Sequence, residues 1–209
     1  MRKIGILGLM VVLALFTASC GGGSDSSTVV IQSLSDQPVD GDIGFTAPGS
    51  FTISQANVTN TVQYGLDTGG TEYRAFLDFP LDGSTGGGVV PANAVIISAD
   101  IEVFVNIITG TASSVPTLLD LVPFPVTGLT TGDFNSSPLL TRPSFDIFRS
   151  DIGNFVRIDV TSLMAEAQNQ GLNNLQVRFL LDFILGAGGL VELDDSTSAR
   201  APLLTVEYR

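Results

Sequence analysis

The chain has no histidine and no tryptophan, one cysteine (Cys20) and one lysine (Lys3). Each absence removes a class of chemistry. Without histidine there is no Ser-His-Asp triad, no Cys-His pair and no histidine zinc centre. With lysine confined to position 3, a Ser-Lys dyad or a Lys Schiff base is excluded from the rest of the chain. One thiol supports neither a disulfide framework nor a cysteine-rich metal site. Missing tryptophan removes the commonest platform for stacking sugars. Paired carboxylates survive, as in glycoside hydrolysis, but 21 Asp and Glu in 209 residues make accidental pairs certain. A glycosidase acid also needs a raised pKa, and the strand acids alternate with Arg74, Arg157 and Arg178, which lower it. The sequence predicts no catalytic activity.

What is present starts with a positively charged Met1–Arg2–Lys3, then an uncharged apolar run from Ile4 to Phe16, then Thr17–Ala18–Ser19–Cys20. This is the layout of a secretory signal peptide, and the run is too short for a spanning helix of about 20 residues. The small residues before Cys20 resemble the lipobox of bacterial lipoproteins. The resemblance implies cleavage before Cys20, acylation of its thiol and amine, and a membrane partner reached through acyl chains such as palmitate. Gly21, rather than aspartate, resembles an outer-membrane address. The expected organisation is a signal peptide over 1–19, a lipidated cysteine and Gly/Ser tether over 20–27, and one domain over 28–209.

The formal charge is −12, and removing Arg2 and Lys3 leaves seven arginines against 21 acids. Such a charge repels polyanions, so nucleic acid is excluded as a partner and anionic polysaccharides are disfavoured.

Along the domain, period-two alternation marks strands. Thr28–Ile31 begins the ordered sequence. Phe51–Val58 and Thr61–Leu66 read as strands. In Tyr73–Phe79, residues 73, 75, 77 and 79 share one face, opposite Arg74 and Asp78. Ile97, Ala99, Ile101, Val103 and Val105 line a long strand, and Val156, Ile158 and Val160 another. Leu175 to Leu181, Leu190 to Leu193, and Leu204, Val206 and Tyr208 follow. Thr117–Val126, broken by Pro123 and Pro125, reads as an edge strand, and Thr127–Asn154 as a long loop. Ser162–Gln170 is the one helical stretch, capped by Thr161 or Ser162 and stopped by Gly171. Many short strands and one short helix predict an all-β fold, an antiparallel β-sandwich.

Four segments, in this order, resemble the DNRLRE-type domains, jelly-roll sandwiches of exported bacterial proteins grouped with carbohydrate-binding modules. They are Tyr73–Phe79 (YRAFLDF), Val90–Ala99 (VPANAVIISA), Val156–Leu163 (VRIDVTSL) and Ala201–Tyr208 (APLLTVEY). The resemblance implies a jelly-roll-like sandwich and glycan recognition.

Candidate residues follow from these readings. The outward charges Arg74, Asp78, Asp100, Glu102, Arg157, Asp159, Arg178 and Asp182 are read as cross-strand ion pairs on a solvated sheet. In the long loop, Asp133, Asn135, Arg142, Asp146 and Arg149 offer hydrogen bonds and Phe134 an apolar face to a polysaccharide or a surface protein, because loops on a rigid scaffold carry binding. No cofactor is expected, with calcium the one open case. Its candidates are Asp36, Asp40 and Asp42, or Asp194 and Asp195, since Asp-rich turns supply carboxylates and free carbonyls. The expected protein is a non-enzymatic, lipid-anchored envelope protein that recognises a glycan or, alternatively, a structural or adhesive protein that binds a protein partner.

Overall fold

The computed structural model describes residues 27–55, 60–184, 188–197 and 199–209. Cys20, the signal segment, nearly all of the tether, the end of the expected Phe51–Val58 strand and part of the Gly186–Gly189 turn lie outside these residues. The described chain is an all-β, antiparallel sandwich with one short helix. The first layer is β1 (Val29–Leu34), β12 (Leu203–Tyr208), β6 (Ile96–Ile108) and β9 (Phe155–Asp159). The second runs through β11 (Leu190–Asp194), β4 (Thr61–Leu66), β5 (Glu72–Pro80), β10 (Asn174–Leu181), β7 (Ser114–Leu121) and β8 (Leu140–Phe148). The hairpin of β2 (Gly41–Thr46) and β3 (Ser50–Gln55) joins that layer through β5. β6 belongs to both layers. Its first half pairs with β12 and β9, and its second half with β11.

Alternation explains the core. Ala75, Leu77, Phe79, Ala99, Ile101, Val103, Leu175, Val177, Phe179, Leu204 and Val206 meet between the layers with no exposure. Burying the valine, leucine, isoleucine and phenylalanine side chains among them stabilises by about 1.5–3 kcal/mol each. Tyr64 joins them, its ring tilted 36° to that of Phe179 at 5.5 Å, with its hydroxyl 3.0 Å from that of Thr117.

The expected inward face of β6 fails at one end. Ile97 is 41% exposed, while Ile96 packs on the core. The pairing with β12 shifts between Glu207 and Tyr208, and one extra residue swaps faces beyond the bulge.

The helix α1 (Thr161–Asn169) begins a residue earlier than expected, and its N-cap residue, Val160, makes no capping bond. The Thr161 hydroxyl instead accepts from the Ala99 amide, fastening the helix to β6, and Asp159 accepts from the Thr161 amide. Gly171, at φ +66°, ends it as read from the sequence.

Three expectations change. β7 is not an edge, since β10 and β8 flank it, and it ends at Leu121 before the prolines. The long segment is not one loop. Residues 122–139 form the loop, with a 3₁₀ turn at Asp133–Asn135, and β8 then takes the edge of the sheet. The charged outer face of the second layer is not solvated. Arg74 is half-buried, and Asp78, Arg178 and Asp182 are buried.

What covers that face is a second apolar cluster of Val39, Ile43, Phe76, Val122, Phe124, Leu129 and Phe134, with Phe45 and Phe51 against it. The rings of Phe45, Phe51 and Phe134 lie 4.9–5.8 Å apart. On the first layer the sequence reading holds: Arg157 meets Asp100 at 2.6 Å in the open.

Candidate functional site

Two places in the described structure concentrate unspent chemistry. The first is an open cleft at one end of the sandwich. Pro80 ends β5, and the glycine-rich loop that follows folds onto β1. At Gly87, φ +67°, a side chain would collide with the Gln32 carbonyl, so the loop can lie this close only with glycine there. Ser33 and Thr85 hydroxyls meet at 2.7 Å and tie the loop down. On the far wall, the end of α1 delivers Leu172, Asn173 and Asn174, and the Leu81 amide donates to the Asn173 carbonyl.

The cleft measures about 540 Å³, and a neighbouring recess of about 260 Å³ shares Leu172, Asn173 and Asn174. Ligand pockets run to about 300–1,000 Å³. Asp82, Val89, Pro91 and Asn173 are exposed along it. Ser84 donates to Asp82 and holds its carboxyl below the usual range, so it is ionised at neutral pH. Asn174 is occupied, its amide clamping both oxygens of the buried Asp78 at 2.8 Å.

The second place is an acidic junction. The β1–β2 turn, the start of β4 and the end of β11 converge here. Asp40, Asp42, Asp194 and Asp195 are all less than one-tenth exposed. Asp40 accepts from the Asp78 amide, and Asp42 from the Gln63 amide. Gln37 spans the junction, donating to the Asn60 side chain and the Asp195 carbonyl. The Asp40 and Asp195 carboxyls stand within hydrogen-bonding reach of each other, beside the Ser35 hydroxyl. Burial first, then the neighbouring acid charge, pushes Asp40 well above the usual carboxylate range. Burial raises Asp42 to about 7, and Asp195 rises for the same reason. Asp40 and Asp195 are 1% and 3% exposed, whereas Asp42 lines a recess of about 220 Å³ together with Thr52, Ser54, Gln63 and Tyr73.

The residues expected to bind from the long segment fall in three places. Asp133 and Phe134 are buried under the sheet, and the exposed Asn135 accepts from Arg74, whose guanidinium sits 3.9 Å over the Phe134 ring. Arg142 donates to the Asp159 carbonyl and covers Phe145, while Asp146 is exposed on β8. Arg149 donates to the carbonyls of Ile108, Gly110 and Ala112 and so holds a turn. Of the calcium candidates, Asp36 is only half-buried, while Asp40, Asp42, Asp194 and Asp195 come together. Among the described residues, no three acids, cysteines or histidines stand close enough to hold a metal as a group.

The cleft was not anticipated. Its signal was the glycine-rich loop directly after a proline-terminated strand. No protein-family model and no curated protein matches the chain.

Proposed function

We propose that this chain is a non-enzymatic, lipid-anchored envelope protein whose sandwich presents the Asp82–Asn173 cleft to a neutral glycan. The observation that carries the reading is the cleft itself, which sets an ionised carboxylate and a free amide beside the exposed apolar walls of Val89 and Pro91. Sugars offer hydroxyls to the former and C–H faces to the latter. The protein's acidity disfavours uronic or sulfated chains. The resemblance of the four ordered segments to DNRLRE-type domains points the same way.

The test is a glycan array with the full chain in detergent. Asn173→Ala and Asp82→Ala are expected to weaken binding at least tenfold each while leaving the melting midpoint within about 2 °C, as exposed substitutions do. An array without any hit, or wild-type binding in both variants, removes this reading.

A second reading, an adhesive protein with a protein partner, is supported by Phe148, Ile152 and Phe155, which are exposed on or beside the β8 and β9 edges. Binding lost on Phe148→Ser and Phe155→Ser but kept in the cleft variants would favour it.

The anchor has its own test. No helix among the described residues is long and apolar enough to cross a membrane. Cys20→Ala is expected to move the protein from the detergent phase to the aqueous phase on phase separation. Unchanged partitioning removes lipidation from the proposal.

A further inference from the structure

The acidic junction leaves two atoms without partners. Asp40 Oδ2 and Asp195 Oδ1 are buried and accept no hydrogen bond, in residues 1% and 3% exposed. They belong to the two carboxyls that face each other across the junction. A buried polar atom left unpaired costs about 1–3 kcal/mol, and more when charged. The pair therefore calls for something positive between or beside the two oxygens.

A shared proton satisfies both atoms but leaves one negative charge on the pair. Asp42 and Asp194 stay buried close by, and the charges that act on Asp40, Asp42 and Asp195 come from acids: Asp195 on Asp40, Asp195 and Glu192 on Asp42, and Asp194 on Asp195. A divalent cation neutralises the pair completely.

We infer that Asp40 and Asp195 form a structural calcium site that ties the β1–β2 turn to the end of β11. Calcium fits better than zinc, because the donors are all oxygens and there is no histidine or thiol to add. Only two carboxylates reach the ion, so the Ser35 hydroxyl, backbone carbonyls and water complete its 6–8 oxygens. Gln37, bonded to both Asn60 and the Asp195 carbonyl, holds the three segments in place around it. So sparse a carboxylate set gives the weak affinity of extracellular calcium modules, a Kd of about 10⁻⁴–10⁻³ M. The inference does not depend on the cleft or on any glycan.

The experiment is a melt and a calorimetric titration of the full chain in detergent at pH 7.5, after EDTA treatment. Calcium chloride at 10 mM should shift the folding equilibrium about ten- to a hundredfold, raising the midpoint by about 3–10 °C for a domain of this size. Magnesium chloride should do much less, because it sheds water reluctantly and demands a regular octahedron. Asp195→Asn should abolish the calcium shift, and Glu102→Gln on the open face of β6 should keep it. No calcium shift in the wild type, or an equal shift in Asp195→Asn, overturns the site; the first result would leave a shared proton as the occupant. If Asp195→Asn does not fold, the wild-type titration decides alone. One ion bound per chain supports the site, and no heat of binding overturns it.

Discussion

Arg178→Ala is expected to destabilise the protein by about 3–5 kcal/mol, the cost of breaking a buried ion pair from one side. Arg178 meets Asp120 at 2.6 Å, with both side chains about 95% buried (4% and 5% exposed). Its remaining nitrogen donates to the carbonyls of Asp133, Phe134 and Ser136. One guanidinium thus neutralises an acid inside the protein and also pins the loop that roofs the second apolar cluster. Truncation leaves the buried Asp120 carboxylate with the Thr141 hydroxyl and the more distant charge of Arg74, and it takes from the Ser136 carbonyl its donor while Asp133 and Phe134 keep theirs from Ser136 and Arg74.

The expected fall in melting midpoint is about 10 °C. Asp120→Asn added to Arg178→Ala should recover part of it, since the second change removes the orphaned charge. Chymotrypsin should also cut near Phe134 faster in the single variant, because the loop has lost its anchor. A drop of less than about 1 kcal/mol would show that the loop holds without Arg178.

In EDTA, stability is expected to fall as pH rises from 5 to 8, the reverse of most proteins. Asp42 titrates near 7 in the folded chain, and Asp40, Asp78 and Asp195 are raised as well, each chiefly by burial. Facing them are Asp36, Asp82, Glu192 and Asp194, whose charges raise them further. Unfolded, these groups titrate near 3.9. Below about pH 4 both states hold the protons, and the contribution is fully present. Between about pH 4 and 7 the unfolded chain releases protons that the folded chain keeps, and stability drains away.

Asp42 alone accounts for as much as about 4 kcal/mol across that window. Asp159 works the other way, because Thr161 holds it low, but it is exposed and screened. The melting midpoint at pH 5 should exceed that at pH 8 by about 10 °C, and Asp42→Asn should flatten part of the slope. A midpoint that is level or rises between pH 5 and 8 would refute the buried-acid account.

The expected binding residues failed to gather for a reason visible in Phe134 and Arg149. A long segment rich in Gly, Ser, Thr and Pro reads as exposed, yet its Phe134 ring is drawn under the sheet by Phe45, Phe51 and Arg74. Arg149 looks like a surface hydrogen-bond donor until its partners prove to be the carbonyls of its own neighbouring turn.

By itself the sequence determined the strands with one apolar face, the helix and its glycine stop, and the class of fold, because period-two and period-3.6 burial are local properties. It also named Asp40, Asp42, Asp194 and Asp195, as turn acids. Only the tertiary structure decided that the outer face of β5 and β10 is a second core, that β8 closes the sheet edge, and that Asp40 meets Asp195. In each case the deciding partner comes from a distant part of the chain. Whether a charged strand face meets water or a loop, and whether two acids share one site, depends on what folds over them, and no local pattern records that.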